Sequence, residues 1–299
     1  MRRRSRIEGL LGLASLGLVC LVLANLVLAS ARVEAGEIRF ATFNIESDAS
    51  TDDARIAETI RALGPLDMLA LQEVAGPNAV RNATAALRSA TRGRYRYVIS
   101  ESGAAVRGRL GDRLAIIYDS ARFRQMETIE LHVIRSVPDG SAHGRPNWGL
   151  RAALFLRLRA FDDDIEFLFG TVHLKCCSAG GAVRAHQARL LAEWIARADV
   201  PVILAGDFNI PVLPQEANGA SASAAFDRLV DALAWVRPAN PTKTQCSPDH
   251  ESMLDHVFVD RERIAMAEVR IHETDPAYCA ADRRGGSDHR PVSARVSIE

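Results

Sequence analysis

The sequence predicts an α/β fold in which apolar strands alternate with amphipathic helices. Three observations predict it. Short apolar runs such as Val202–Ala205 and Met68–Leu71 suit strands buried on both faces. Between such runs lie segments with apolar residues at helical spacing, for example Ile56, Ile60 and Leu63. Six of the apolar runs carry polar groups near one end: Asn44; Glu73; His173; Asp207 with Asn209; Asp255 with His256; Asp288 with His289. One such residue is an ordinary turn residue. Six together point to one site at the edge of packed sheets.

In chain order, Ile38–Ile45 reads as a strand. Thr51–Leu63 reads as a helix, with Thr51 as its cap and Asp52 and Asp53 in its first turn. Gly64 and Pro65 stop it. Met68–Val74 is the next strand and Asn78–Ser89 the next helix. Tyr95–Ser100 and Arg113–Tyr118 read as strands, joined by the Gly- and Arg-rich stretch Glu101–Asp112. Arg151–Leu158 and Ile165–Lys175 pair across the acidic turn Asp162–Asp164, which reads as solvated. Val183–Ala198 is helical, Pro214–Ala224 a loop and Phe226–Ala234 helical. Met253–Asp260, Ala267–His272 and Pro291–Ile298 read as strands. No repeat and no linker divides residues 37–299, so they read as one domain.

The organising stretch is Val202–Pro211. Gly206 lets another backbone or a ligand come close. Asp207 and Asn209, two apart on an extended chain, point the same way. A carboxylate that accepts a proton beside a carboxamide that donates a hydrogen bond suits an anionic substrate attacked by water.

The 299 residues, 48% hydrophobic and 25% charged, can bury a sizeable core. Arg2, Arg3, Arg4 and Arg6 precede Leu10–Ala29, which is uncharged for 20 residues. Residues 1–35 therefore read as a targeting segment. It is either a signal peptide cleaved at Ala29-Ser30-Ala31 or Val33-Glu34-Ala35, or an anchor retained through residues 10–29. The arginines predict a cytoplasmic N-terminus, so the domain is exported either way: periplasmic, secreted or tethered outside the cytoplasm. The exported part keeps 32 of 37 basic and 35 of 37 acidic residues, net −3. That balance argues against a nucleic-acid coat protein but not against an enzyme that grips a few phosphates.

The segments Thr42-Phe43-Asn44, Leu71-Gln72-Glu73-Val74, Thr171-Val172-His173-Leu174-Lys175, Gly206-Asp207-Phe208-Asn209, Leu254-Asp255-His256-Val257-Phe258 and Ser287-Asp288-His289-Arg290-Pro291-Val292 resemble those of the endonuclease/exonuclease/phosphatase superfamily, in the family's order. The resemblance implies a four-layer α/β sandwich, two mixed β-sheets face to face with helices outside. It implies a divalent cation, usually Mg²⁺ with Mn²⁺ as the other candidate, held by Glu73 with Asn44 and Asp288. It makes His289 the key imidazole, oriented by Asp255. Asp207 orients or deprotonates the attacking water, and Asn209 and Asn44 bind phosphate oxygens. His173 marks the deoxyribonuclease-like branch, with Asp112 as its carboxylate and Arg151 as a phosphate-binding arginine. The expected activity is a metal-dependent phosphoesterase of monomeric form, first of all a phosphodiesterase acting on nucleic acid. A sphingomyelinase-like phospholipid hydrolase or a phosphomonoesterase is the alternative. A non-catalytic binding protein of the same fold is disfavoured by the complete polar set.

Cys176, Cys177, Cys246 and Cys279 are the cysteines of the exported part. An oxidising compartment and an even count suit disulfides. Their places beside the His173, Asp255 and His289 segments predict a bond from Cys176 or Cys177 to Cys246 or Cys279.

Overall fold

The computed structural model describes residues 36–47, 51–105, 111–138, 150–216, 223–246, 248, 250–274 and 285–298. The targeting segment, including residues 10–29 and both cleavage sites, lies outside them. Among the described residues no helix is long and apolar enough to cross a membrane. From Ile38 onward the chain forms one compact unit.

Two six-stranded sheets make the fold. The first contains β1 (Glu37–Asn44), β2 (Met68–Val74), β3 (Tyr95–Ile99), β4 (Arg113–Asp119), β11 (Ile264–Ile271) and β12 (Val292–Ile298), in the order β11-β12-β1-β2-β4-β3. The second contains β5 (Phe123–Leu131), β6 (Ala153–Ala160), β7 (Glu166–Thr171), β8 (Val202–Val212), β9 (Ala234–Trp235) and β10 (Met253–Val259), in the order β5-β6-β7-β8-β10-β9. β1 pairs β2 in parallel and β7 pairs β8 in parallel, while the neighbouring ladders are antiparallel. Both sheets are therefore mixed.

The central strands are apolar on both faces because both faces are covered. Phe40, Met68, Ala70, Leu114 and Ile116 belong to the core between the sheets. Alternate residues Ala41, Phe43, Leu69, Leu71 and Ile117 pack under helices α1 (Asp53–Ala62) and α2 (Pro77–Ala90), through Ile56, Ile60, Val80 and Leu87. On the other side α3 (Gly181–Ile195) and α4 (Ala224–Ala232) supply Ala188, Leu191, Ile195, Phe226 and Leu229. Between the two sheets the rings of Phe40 and Phe169 meet edge to face, with centroids 5.2 Å apart. Phe40→Ala removes this contact and leaves a cavity. It is expected to cost about 3–5 kcal/mol, read as a lowered urea midpoint at unchanged m-value.

Some local expectations change. Asp52, not Thr51, caps α1, its carboxylate accepting from Ala54 N at 2.9 Å. The Thr51 hydroxyl instead donates to Glu46 O. β5 was not expected: its sequence Phe-Arg-Gln-Met-Glu-Thr-Ile-Glu-Leu has no apolar run because it is an edge strand with a wet face. α4 ends at Ala232, and Ala234–Trp235 pairs with β10 instead of prolonging it.

Beneath one end of the sandwich a buried polar cluster ties the sheets together. Gln72 Nε2 donates to Thr42 Oγ1 (2.9 Å) and, across the sheets, to Thr171 Oγ1 (2.7 Å). Beside it Gly206 is required by close approach: a Cβ there would lie 2.4 Å from Val172 O.

Candidate active site

Asn44 and Glu73 lie at the C-terminal ends of β1 and β2, His173 two residues past the end of β7, Asp207 midway along β8 opposite Asp255 near the start of β10, and His289 just before β12. Parallel pairing within each sheet brings the first four together at one end of the sandwich. The antiparallel partners bring the last two to the same end.

Asp207 is the junction. It is buried, and its Oδ2 accepts from Asn44 Nδ2 at 3.1 Å and lies 3.3 Å from His173 Nε2 and 3.7 Å from His289 Nε2. Its Oδ1 accepts from Asn209 N at 2.9 Å. Asn44 also donates to Glu73 Oε1 at 2.9 Å, and its Oδ1 accepts from Glu46 N at 3.1 Å. Asn44 thus joins two carboxylates.

Glu73 has φ +53°, a left-handed conformation costing a non-glycine residue on the order of 1–3 kcal/mol. The β2–β4 register shifts between Leu71 and Val74 at the same place. This bulge turns a carboxylate out of a sheet whose other side chains are buried.

His289 Nδ1 and Asp255 Oδ2 are 2.8 Å apart, which assigns the proton to Nδ1 and directs Nε2 toward Asp207. Thr244 Oγ1 accepts from Leu254 N (2.8 Å) and Asp255 N (3.1 Å), setting the start of β10. Ser287 Oγ donates to Asn44 O (2.6 Å) and accepts from His289 N (3.0 Å), linking β1 to the His289 turn. Burial alone would lower the His289 imidazole, but Asp255, Asp207 and Asp288 hold it well above its usual range.

A group raised in this way stabilises the fold fully below the unfolded imidazole pKa of about 6.5, and that stability is lost as pH rises through the folded value. In chelated protein, Asp255→Asn should therefore lower the melting temperature most below about pH 6.5 and less at alkaline pH. Equal losses at both ends of the range would contradict it.

His173 is buried, with Nε2 3.7 Å from Glu73 Oε1 and Nδ1 3.7 Å from Asp112 Oδ1. Nδ1 has no hydrogen-bond partner. Asp112 is gripped instead by the fork of Arg151, Nε to Oδ1 at 2.7 Å and Nη2 to Oδ2. Burial raises Asp112, but His173 and Arg151 outweigh it and hold the carboxyl below the usual range. Asn209, at φ +51°, breaks the plain alternation expected after Asp207, and its Nδ2 donates to Leu174 O at 3.3 Å. Arg151, Asn44 and Asn209, the three expected phosphate ligands, are thus each engaged with protein groups.

Sequence reasoning missed Glu46. It follows the last strand residue Asn44 by two, and its Oε2 accepts from Asp288 N at 3.1 Å. Burial, then Asp288 and Glu73, push its carboxyl up to about 8. Asp288 is raised too, chiefly by burial, and its Oδ2 accepts from Gln245 Nε2 at 2.6 Å. Glu46, Glu73 and Asp288 form a crowd of hard oxygen donors that repel one another. Carboxylate oxygens of this kind suit a hard divalent cation. Among the described residues, atoms of Glu73, His173 and Asp207 lie close enough together to share an ion, as do those of Asp207, Asp255 and His289. His256 is not part of the site: its Nε2 faces Ile210 O at 2.9 Å among aromatic rings, and burial lowers its pKa.

The expected disulfide is corrected. Cys176 and Cys177 are free thiols. Cys246 is disulfide-bonded, to a partner outside the described residues; Cys279, the other cysteine of the expected pairing, also lies outside them. The reason is local. Arg184 and Gln187 hold residues 175–177 on α3, whereas Cys246 N and Thr244 O hydrogen-bond to Asp288 O and Arg290 N.

The profile described as "Endonuclease/Exonuclease/phosphatase family" matches residues 41–289. No curated protein matches the sequence significantly. Among solved structures, the human Nocturnin catalytic domain with bound sulfate is 18% identical with a TM-score of 0.65, covering 89% of this chain and 95% of its own. A mannosyl-6-phosphatase of Bacteroides thetaiotaomicron is 18% identical, TM-score 0.61, over 88% and 99%. D. rerio TDP2 complexed with a single-strand DNA product is 15% identical, TM-score 0.60, over 87% and 99%. At these identities the likeness shows the fold, a two-sheet α/β sandwich.

Proposed function

The chain belongs to the endonuclease/exonuclease/phosphatase family, and from that premise we propose that it is an exported, divalent-metal-dependent phosphoesterase acting first of all on nucleic-acid phosphodiesters. The observation that carries the reading is the meeting of Asp207 with both imidazoles and Asn44, beside the three-carboxylate crowd.

Glu73, Glu46 and Asp288 would hold Mg²⁺ or Mn²⁺. Bound there, the cation supplies charge neutralisation at the phosphoryl oxygens. Asp207 orients the attacking water and accepts its proton. His289, fixed by Asp255, faces the phosphate through Nε2 and donates a hydrogen bond to the charge that develops on it. His173 donates from the other side of Asp207. Asn209, Asn44 and Arg151 exchange a protein partner for a phosphate oxygen when substrate arrives. Asp112 keeps Arg151 in place beside His173.

Two features favour nucleic acid over lipid. The single-strand DNA product on TDP2 occupies the same fold. The large apolar side chains exposed among the described residues are Met126 on β5, Val133 just after it and Phe161 in the turn after β6, and none of them belongs to the candidate site. A phosphomonoesterase remains the rival, since the mannosyl-6-phosphatase has an equally similar fold.

The test sets oligonucleotide, RNA, sphingomyelin and a sugar monophosphate side by side, with Mg²⁺ and with chelator. Cleavage of the polynucleotides, lost on chelation, is expected. Turnover of the sugar phosphate or of sphingomyelin alone would replace the nucleic-acid reading.

A further inference from the structure

We propose that Cys176 and Cys177 are a redox modification site, at which a disulfide closes between adjacent residues and shifts the His173 segment. Both thiols are free, Cys177 exposed and Cys176 partly buried. Neighbouring side chains of a plain extended chain point to opposite faces. Cys177 breaks that alternation with φ +71°. Such strained residues cluster at sites that switch.

The strained turn is wired to the site. Cys177 O accepts from Arg184 Nη1 (2.9 Å) and Gly180 N (3.0 Å). The same Arg184 nitrogen donates to Lys175 O at 2.7 Å, and Gln187 Oε1 accepts from Lys175 N at 2.9 Å. Leu174 O accepts from Asn209 and His173 O from Arg151. The backbone from His173 to Cys177 is thus one clamped piece, and a torsion change at Cys177 reaches the imidazole 3.3 Å from Asp207.

The exposed Cys177 thiolate attacks one sulfur of a low-molecular-weight disulfide and expels one thiol. Cys176 then attacks the Cys177 sulfur and expels the second. Two protein thiols are oxidised, one small disulfide is reduced to two thiols, and the two protons leave on them. Adjacent Cα atoms are about 3.8 Å apart, short of the roughly 4.4–6.8 Å usual for a disulfide. The bond is therefore strained and readily reduced, as regulatory disulfides are.

The effect on turnover rests on the phosphoesterase reading; ring closure does not. The experiment treats the protein, its Cys246 bond intact, with oxidised glutathione. Peptide mass is expected to show the loss of two hydrogens across Cys176–Cys177. Amide exchange over residues 173–180 should rise, and turnover should fall about tenfold or more, since small misplacements of catalytic groups cost that much. Mild reductant should restore it. Cys177→Ser should keep the reduced turnover and ignore the oxidant. A lasting glutathione adduct without the ring overturns the proposal. So does a ring that alters neither exchange nor turnover. If the reduced protein cleaves no phosphate ester, the functional reading fails, while mass and exchange still decide this one.

Discussion

Asp207→Ala lowers turnover at least ~10²-fold, the usual size of a lost proton-transfer group, with the sandwich still folded. The expectation follows from how many parts of the site end on this one carboxylate. Asn44 and the Asn209 amide donate to it, and both imidazoles lie within 3.7 Å. Alanine leaves these donors without an acceptor and removes the proposed base. Asp207→Asn keeps the shape and the Asn209 contact but cannot take a proton, so it should lose nearly as much. His289→Ala should match it, because the imidazole faces the same point from Asp255. The measurement is kcat at saturating metal, beside far-UV circular dichroism and a melting curve. Near-wild-type turnover in either variant would remove Asp207 or His289 from the mechanism.

The second large effect is on the metal. Excess EDTA abolishes activity, and Glu73→Gln raises the Mg²⁺ concentration needed for half-maximal rate at least tenfold, about 1.4 kcal/mol of binding. Glu73 is the carboxylate for which the backbone adopts a strained bulge, and a strained residue persists only where its surroundings require it. Gln keeps the acceptor for Asn44 Nδ2 but loses the charge. Calorimetric titration with Mg²⁺ should show the same weakening without substrate. Full activity in EDTA would exclude the metal-dependent reading.

The candidate site was largely legible as a cluster because its residues stand at the ends of recognisable apolar runs. A strand buried on both faces has few polar residues, so Glu73 after Met68–Leu71 and Asp207 after Val202–Ala205 stand out. Glu46 did not stand out, since it follows Asn44 in irregular chain, and a lone acidic residue in a loop carries no pattern. Its importance comes from Asp288, 242 residues away in sequence. Thr244, Ser287 and Gln245 escaped for the same reason: small polar residues gain meaning only from the backbone groups they meet. The edge strand β5 lacked an apolar run because solvent covers one face. The cysteine pairing failed because proximity in sequence to converging strands says nothing about which way a loop folds back, and Arg184 decides that for Cys176 and Cys177.

The direction of the outermost chain segments has a practical consequence. β1 begins at Glu37 and reaches the site only at Asn44, while β12 leaves the site after His289 and finishes at Ile298. The turn before β7 lies at the same remote end, because β7 runs from Glu166 toward His173. An eight-residue strand is about 26 Å long. Coupling to a solid support at either remote place, the end of β12 or the 161–164 turn, would therefore orient every molecule alike, with the candidate site toward the liquid. A bulky carrier grafted at either place would leave substrate access as it is.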